Sequence, residues 1–250
     1  IVFGDWSSDV CSSDLWLAPL QVQPRVIGIQ CAVSYEPFIL QASIVYKVIN
    51  ICYIVLMNRE EIRKKLSKFT VGIAGAGGLG SNCAVALARS NIGGIVIADF
   101  DTVSEPNLDR QYFFLNQIGQ PKVFAIRETI HAINPAVSVS AYYTRVSPDN
   151  ITELFSLCDI LVEAFDAGEE KYMLLEACAR HFPGKPLVLG NGIAGWGSSN
   201  DIKVRHSGQL VIVGDESTEV GQDNPPMAAR VGIAACMQAN EVIQTLLSQY

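Results

Sequence analysis

The amino-acid sequence predicts an α/β fold of the Rossmann type: a mostly parallel sheet with helices on both faces, and an antiparallel hairpin and a long helix at the C-terminal end. Two observations predict it. The loop Gly75-Ala-Gly-Gly-Leu-Gly80 lies between a short apolar run and an alanine-rich segment, as a nucleotide-binding loop lies between strand and helix. Beyond it, short apolar runs alternate with helical segments of roughly a dozen residues, which is typical of βαβ units.

Hydrophobic periodicity predicts each element in turn. A charged segment with apolar residues at helical spacing comes first, and the β-branched run before the glycine loop is typical of a buried parallel strand. Near the end, two runs flanking Ser207-Gly208 predict a hairpin, and the polar residues 216–226 predict an exposed loop. The predicted helices are 60–68, 81–91, 121–133, 149–157, 169–181 and 227–247, and the predicted strands are 70–75, 95–99, 137–143, 159–163, 186–189, 201–206 and 209–214.

Composition limits the class of protein. The chain has 250 residues, 49% of them hydrophobic and 17% charged, which is enough for one large domain with a sizeable core. Its net charge of −7 argues against a general binder of nucleic acid or of anionic membranes. The seven cysteines include no C-x-x-C pair, so we expect free thiols in a cytoplasmic protein and no zinc site.

The first 56 residues differ from the rest of the chain. Residues 6–15 resemble a translated sequencing adapter, and the sequence after them is apolar without a period. Residues 38–57 are long enough to span a bilayer, but Lys47 near their middle argues against that. We expect residues 1–56 to be upstream read-through or a disordered extension, and residues 57–250 to form the functional domain.

The polar residues around the glycine loop indicate a nucleotide whose phosphates react. Asp99 ends the second predicted strand, where a carboxylate accepts hydrogen bonds from ribose hydroxyls. Arg110 and Lys122 are cations of the kind that an enzyme needs to displace pyrophosphate. Asp166, just beyond the strand 159–163, is a carboxylate available for magnesium. Each would be an ordinary surface charge alone, but the carboxyl ends of parallel strands bring them to one edge.

These residues stand in ordered motifs that resemble the ThiF/MoeB/HesA adenylyltransferases, the bacterial relatives of ubiquitin-activating enzymes. The resemblance covers about residues 57–250 and implies attack of a C-terminal glycine carboxylate on the α-phosphate of ATP. It implies ATP and Mg²⁺ as cofactors, a ubiquitin-like sulfur carrier protein ending in Gly-Gly as partner, and a homodimer. The motifs are Gly75-Ala-Gly-Gly-Leu-Gly-Ser81, Asp99-Phe-Asp101, Ser104 through Asn107-Leu-Asp-Arg110-Gln111, and Gly119-Gln-Pro-Lys122.

The resemblance also implies a role for each site residue. Asp99 would bind the ribose, Asp101 would support the nucleotide or its metal, and Asn107 would contact the phosphates. Arg110 and Lys122 would stabilise the transition state, and Asp166 would hold magnesium. The implied nucleotide-binding residues are Gly75, Gly77, Gly78, Gly80, Asp99, Asp101, Asn107, Arg110, Gln111 and Lys122, and the implied catalytic residues are Arg110, Lys122 and Asp166.

The chain departs from the family pattern in its cysteines. The paired C-x-x-C zinc motifs are missing, and residues 190–226 contain no cysteine that could take part in a covalent step. We therefore expect no structural zinc and a separate sulfur donor protein. Cys236 is interpreted as part of a buried helix face. For the N-terminal arginine that relatives lend across their dimer, Arg59 and Arg63 are candidates.

Three alternatives stay open. The likeness is greatest to the ThiF type, which activates the carrier ThiS in thiamine biosynthesis, but activation of a MoaD-type carrier for molybdenum cofactor is the alternative. An NAD(P)-dependent oxidoreductase would need a catalytic Tyr–Lys or His arrangement, and His131, His181 and His206 provide no convincing one. A non-catalytic partner subunit would not need Arg110, Lys122 and Asp166 together.

Overall fold

The structure, a computed structural model, describes residues 57–248, so the expectations for residues 1–56 lie outside the described part of the chain. The elements, in order, are α1 (Arg59–Leu66), β1 (Thr70–Ala74), α2 (Gly78–Arg89), β2 (Gly94–Asp99), α3 (Lys122–Ile133), β3 (Ser138–Tyr143), α4 (Ile151–Phe155), β4 (Ile160–Glu163), α5 (Gly168–His181), β5 (Leu187–Gly190), β6 (Lys203–Ser207), β7 (Leu210–Gly214) and α6 (Ala228–Leu247). Short 3₁₀ helices occur at Glu105–Asp109, Leu115–Gln117 and Ser199–Asp201. None of the helices in this part of the chain has both the length and the apolar character needed to cross a membrane.

The strands form one sheet in the order β3-β2-β1-β4-β5-β7-β6. Every neighbouring pair is parallel except β6 and β7, which form the predicted antiparallel hairpin. Central strand β1 pairs with β2 on one side and β4 on the other, so that Val71 lies opposite both Ile95 and Ile160. The chain therefore reverses direction across the sheet between β1 and β4, which opens a crevice at their carboxyl ends. The predicted fold class is confirmed.

Apolar residues cover both faces of the sheet. One cluster joins Ile73 of β1 to side chains of α2, α3 and α6, including Ile126 and Val242. A second cluster lies on the other face and contains Phe155 of α4 and Leu174 of α5. Strands β4 and β5 are buried along their whole length, as strands between two helical layers must be. The helices on both faces are thus held in place by apolar packing against the buried strands.

The bounds of several helices differ from the predicted ones by two or three residues. Helix α2 starts at Gly78 and not at residue 81, because the last glycines of the loop already have helical geometry behind Gly77 as N-cap. Helix α4 is limited to Ile151–Phe155, shorter than the predicted 149–157. At the start of α1, Asn58 and Glu61 form a reciprocal capping box, a strong signal for a helix N-terminus.

Candidate functional site

A cavity of about 750 Å³ opens at the carboxyl ends of the parallel strands. Its walls come from the loops after β1, β2, β3, β4 and β5, and from the segment before α6. The structure therefore gathers most of the predicted site residues in one place, with Gly80 and Asn107 outside the lining. The predicted residues that line it are Gly75, Gly77, Gly78, Asp99, Asp101, Arg110, Gln111, Lys122 and Asp166.

The glycine loop packs too closely to admit side chains at two positions. Gly75 has a φ of +100°, and a Cβ there would lie 2.8 Å from the carbonyl oxygen of Ala164. A Cβ on Gly80 would lie 1.9 Å from the carbonyl oxygen of Gly75, which is far inside van der Waals contact. Gly80 therefore allows α2 to pack directly on the loop, while the N-terminus of α2 faces the cavity with free amides and a positive dipole end.

Asp99 lies at the predicted ribose position and also holds the glycine loop in place through hydrogen bonds. Its Oδ2 accepts a hydrogen bond from the backbone amide of Ala76 at 2.6 Å, and its Oδ1 accepts one from the amide of Asp101 at 2.7 Å. A carboxylate oxygen can accept more than one hydrogen bond, so Asp99 keeps capacity for a sugar hydroxyl. The half-buried carboxylate lies at the end of β2 and joins it to the glycine loop.

Lys122 supplies a buried cation to the cavity wall. The side chain is 6% exposed, and its Nζ lies 2.7 Å from Oδ2 of Asp101. The backbone amide of Lys122 also donates to the carbonyl of Asp101 at 2.9 Å. Two contacts thus fix the first residue of α3 against the loop after β2, and the ammonium group is held in place before any ligand arrives.

Hydrogen bonds hold both the side chain and the backbone of Arg110. Its Nη1 donates to Oδ1 of Asp109 at 2.7 Å and to the carbonyl of Pro106 at 3.2 Å. Its own carbonyl accepts a 3.0 Å hydrogen bond from Nδ2 of Asn82, which also donates to the carbonyl of Gly78 at 2.7 Å. Asn82 of α2 therefore positions the arginine segment beside the start of the same helix.

Ser81 of α2 also links this helix to the segment that follows Arg110. Its hydroxyl donates to the carbonyl of Gly77 at 2.6 Å and accepts from the amide of Tyr112 at 2.9 Å. The neighbouring Gln111 lines the cavity, and its buried Oε1 has no hydrogen-bond partner among residues 57–248. The glycine-loop motif includes Ser81, but the sequence does not predict the contacts of Ser81 and Asn82, because their partners lie about thirty residues further along the chain.

Asn107 has a structural contact outside the cavity. Its Oδ1 accepts a hydrogen bond from the amide of Ser104 at 3.0 Å, which caps the 3₁₀ helix Glu105–Asp109. Contact between Asn107 and the phosphates stays a prediction. Arg59 and Arg63 are exposed on α1 and do not line the cavity of this chain, so a contribution across a dimer also stays a prediction.

Asp166 is an exposed carboxylate of the cavity, as are Asp101 and Glu219. Asp166 follows β4, and its side chain makes no hydrogen bond or ion pair with the other described residues. Residues 57–248 contain no group of three or more His, Cys, Asp or Glu that could hold a metal. Mg²⁺ characteristically binds one or two carboxylates together with phosphate oxygens and water. The Asp166 carboxylate, which faces the cavity and has no partner among residues 57–248, fits that pattern.

An ion pair between the buried Glu163 and the half-buried Lys171 lies next to the loop of Asp166, and the sequence did not predict it. The Nζ of Lys171 lies 2.9 and 3.0 Å from the two carboxylate oxygens of Glu163 and 3.0 Å from the carbonyl of Gly190. Burial raises the pKa of Glu163, and Lys171 opposes that effect. The amide of Phe165 also donates to Glu163, at 2.7 Å. A charged residue at the end of an apolar strand was the available signal.

A second buried pair supports the wall formed by the segment before α6. Arg230 and Asp215 are 4% and 6% exposed, with 2.5 Å between Nη2 and Oδ2. Burial by itself would raise the pKa of Asp215, but hydrogen bonds from Thr218 and Ser217 outweigh it and lower the pKa below its ordinary value. Arg230 also donates to the carbonyl of Gly197 at 2.7 Å. These contacts join α6 to the loops on both sides of the hairpin.

The interpretation of Cys236 as a core residue is wrong. The side chain is exposed, because position 236 lies beside the buried stripe of α6, which runs through Ala235, Gln238 and Ala239. Three other cysteines of residues 57–248, Cys83, Cys158 and Cys178, are buried and free. Cys236 does not line the cavity.

Comparison with known proteins gives consistent matches. A model of the ThiF family matches residues 53–250. The probable adenylyltransferase/sulfurtransferase MoeZ of Mycobacterium tuberculosis is 35% identical over 130 residues, covering 52% of this chain and 33% of MoeZ. A sulfur carrier protein adenylyltransferase of Thermus thermophilus is 32% identical over 131 residues, covering 52% of this chain and 48% of that protein. The chain thus spans less than half the length of these two relatives.

The fold also has solved counterparts. The tRNA N6-threonylcarbamoyladenosine dehydratase TcdA of E. coli, solved in complex with ATP, superposes with a TM-score of 0.69. The two chains are 22% identical, and the match covers 76% of this chain and 90% of TcdA. At that identity the likeness shows a shared fold.

Proposed function

This chain belongs to the ThiF family, and from that premise we propose that it is an ATP-dependent adenylyltransferase for a ubiquitin-like sulfur carrier. Residues 57–250 form the catalytic domain in this proposal. The substrate is the C-terminal glycine carboxylate of the carrier, and the products are a carrier acyl-adenylate and pyrophosphate. MoeZ and the Thermus protein carry the word adenylyltransferase in their names, which supports the reaction class.

One observation carries the proposal: two cations, a free carboxylate and a glycine loop meet in one cavity. Arg110, Lys122 and Asp166 all line the space in front of the N-terminus of α2. An NAD(P)-dependent redox site would need a catalytic Tyr–Lys or His arrangement, and the lining from residues 57–248 includes neither Tyr nor His. The lining is instead rich in charges that suit a reacting phosphate. Adenylyl transfer is therefore favoured over the NAD(P)-dependent alternative.

The chemistry needs no general base. A C-terminal carboxylate is already ionised at neutral pH, so one of its oxygens forms a bond to the α-phosphorus as the α–β phosphoanhydride bond breaks. The electron pair of that bond leaves with pyrophosphate. The amides of the glycine loop hold the phosphates, Asp99 holds the ribose, and Arg110 and Lys122 neutralise the charge that develops on the phosphate oxygens.

Positioning accounts for most of the catalysis. Lys122 is fixed by Asp101, and Arg110 is fixed by Asp109 and Asn82, so little reorganisation remains when the transition state forms. Asp166 would hold Mg²⁺, which supplies a further positive charge to the phosphates when bound. The protein thus acts by presenting fixed charges around a bound nucleotide.

The proposal also includes the type of sulfur carrier, the sulfur donor and the oligomeric state of the enzyme. We place a ThiS-like carrier of thiamine biosynthesis first, because the motifs resemble the ThiF type most. A MoaD-type carrier for molybdenum cofactor is the alternative. A separate protein would donate the sulfur, since residues 190–226 contain no cysteine. The enzyme would act as a cytoplasmic homodimer.

A pyrophosphate-exchange assay tests the proposal. Purified protein is incubated with ATP, magnesium, labelled pyrophosphate and either a ThiS-like or a MoaD-like carrier ending in Gly-Gly. We expect label in ATP with one of them, and none when the last glycine of that carrier is removed. Absence of exchange with every carrier, together with tight binding of NAD, would overturn the proposal.

Replacement of Arg110 tests the mechanism within that assay. We expect Arg110→Ala to lower the exchange rate by about 100- to 1000-fold, as loss of a group that stabilises transition-state charge does. Arg127→Ala is the matched control, because Arg127 lies over the ring of Phe124 and outside the cavity. Unchanged exchange in Arg110→Ala would remove this residue from the mechanism. Circular dichroism would check that both variants are folded.

A further inference from the structure

Three side chains form a stacked arrangement in the cavity that the proposed chemistry does not use. The guanidinium carbon of Arg145 lies 3.7 Å from the centre of the Phe100 ring. The Nη1 of the same arginine forms an ion pair with Oε1 of Glu170. All three residues line the cavity, and the Arg145 side chain is 60% exposed. One face of the guanidinium plane is therefore covered by a ring, and the opposite face is open.

Their place in the fold identifies the part of a nucleotide that they meet. Phe100 directly follows Asp99, the predicted ribose ligand, and Arg145 follows β3. The sheet order β3-β2-β1 puts the end of β3 beyond the end of β2 when viewed from the glycine loop. A nucleotide with its phosphates at the loop and its ribose at Asp99 must extend its base away from the phosphates, toward this arrangement.

We propose that Arg145 is a stacking platform for the nucleobase, with Phe100 behind the guanidinium and Glu170 holding its edge. This inference rests on the proposed function, since it needs a nucleotide in the cavity. A guanidinium group is planar and stacks on aromatic faces, and a base has such a face. Glu170 binds the edge of the group, so both faces remain available for rings. The base would complete a three-layer stack.

The ion pair keeps the platform in position. An unpaired arginine at the surface samples many rotamers, and ordering it opposes binding. Here Phe100 and Glu170 already restrict Arg145 from two directions, so less freedom remains to be lost when the base arrives. The ion pair with Glu170 also offsets part of the positive charge of Arg145, which favours contact with an uncharged base over contact with a phosphate.

The test distinguishes the contribution of the base to binding from that of the phosphates. Dissociation constants for ATP and for inorganic tripolyphosphate are measured by titration calorimetry with the wild-type chain and with Arg145→Ala. We expect the variant to bind ATP about 5- to 30-fold more weakly, in the range found when a stacking side chain is removed from a base. Its affinity for tripolyphosphate should stay within about twofold, because that ligand has no base to stack.

Two further variants sharpen the result. Arg145→Lys keeps the charge but loses the planar group, and it should behave like Arg145→Ala toward ATP. Phe100→Leu keeps an apolar neighbour but loses the ring behind the guanidinium, and it should weaken ATP binding by a smaller factor than Arg145→Ala. The thermal midpoint of each variant without ligand shows whether the domain is intact.

The possible outcomes distinguish this inference from the proposed function. Equal weakening of ATP and tripolyphosphate in Arg145→Ala would show a charge effect on the phosphates and overturn the stack. Unchanged ATP binding in that variant would overturn it as well, while leaving the proposed function in place. A wild-type chain that binds neither ligand would overturn both.

Discussion

Burial divides the cysteines of residues 57–248 into two chemical classes. Cys83, Cys158 and Cys178 lie in the core, and burial raises the pKa of Cys158 to about 12 and that of Cys178 to about 11. Cys236 is exposed on α6. The thiolate is the reactive form of cysteine, so the buried thiols are doubly protected, by their high pKa and by lack of access.

We therefore expect N-ethylmaleimide at pH 8 to modify Cys236 and to leave the three buried cysteines unmodified until the protein is unfolded. Peptide mass spectrometry at timed intervals would follow each site separately. The Cys236→Ser variant is the control for label on this part of the chain. Modification of Cys158 at the rate of Cys236 would show that the core opens far more readily than its packing indicates.

The buried carboxylate of Asp215 gives stability a specific dependence on pH. Hydrogen bonds from Thr218 and Ser217 lower the pKa of Asp215 in the folded state, so the folded state binds this proton less tightly than the unfolded state does. The stabilisation is present above the ordinary pKa of an aspartate, about 3.9, and is lost as the pH falls from about 5 toward 2. Protonation removes the negative charge that faces the buried arginine.

In Asp215→Asn we expect a free energy of unfolding lower at pH 7 by about 3 kcal/mol or more, because the arginine is left buried without its partner. The variant should then lose less additional stability than the wild type between pH 5 and pH 2, since asparagine does not titrate. Urea unfolding at several pH values measures both quantities. Asp149→Asn, at an exposed position, is the control. Equal slopes for Asp215→Asn and the wild type would contradict the assignment.

Site residues divide into those that the sequence predicts and those that only the structure shows. Asp99, Arg110 and Lys122 could be predicted because strand ends and motif order place them at one edge of the sheet. Glu163 and Lys171 could not, because their pairing depends on where α5 packs against β4 and β5. A residue whose function is to hold another residue has no local pattern of its own.

At the scale of elements, Gly80 decides how closely α2 approaches the glycine loop. A Cβ at that position would lie 1.9 Å from the carbonyl oxygen of Gly75, so Gly80→Ala must move either the helix or the loop. We expect a loss of stability of about 1–3 kcal/mol, as for overpacking of a core, and a clear loss of ATP affinity.

The matched control for that variant is another helical glycine. Gly232 lies in α6, and a Cβ there would have no neighbour within 4 Å. Gly232→Ala should stabilise the protein by about 0.5–1 kcal/mol, because alanine is the better helix former. Thermal unfolding and ATP titration of both variants measure the effects. Stabilisation by Gly80→Ala would show that the loop is not packed as described.

The elements themselves were predictable where a local signal marks them. Alternating apolar runs and helical segments predicted β1 to β7 and α1 to α6, and the hairpin was marked by Ser207-Gly208. The 3₁₀ helix Glu105–Asp109 was not predicted, because a single turn has too few residues to show a period. Sequence patterns also did not show that β7 pairs in parallel with β5, since that pairing joins residues more than twenty positions apart.

At the scale of the whole molecule, one ligand would contact the ends of most of the parallel strands. The cavity is lined by residues that follow β1, β2, β3, β4 and β5, and by the segment before α6. The strands are fixed by burial between two helical layers, whereas the loops after them are joined by a few polar contacts. A bound nucleotide would add contacts to all these loops at once.

We therefore expect ATP to stabilise the fold as a unit. At a free concentration about 100 times its dissociation constant, a ligand that binds only the folded state contributes about 2.7 kcal/mol, which for a domain of this size raises the thermal midpoint by roughly 5–10 °C. Scanning calorimetry over a range of ATP concentrations measures the shift. Lys122→Met removes the buried cation of the cavity wall, so its shift should be smaller at equal ATP concentration, and its midpoint without ligand reports any structural loss separately. A shift with NAD as large as that with ATP, and equal in Lys122→Met, would contradict a site organised around reactive phosphates.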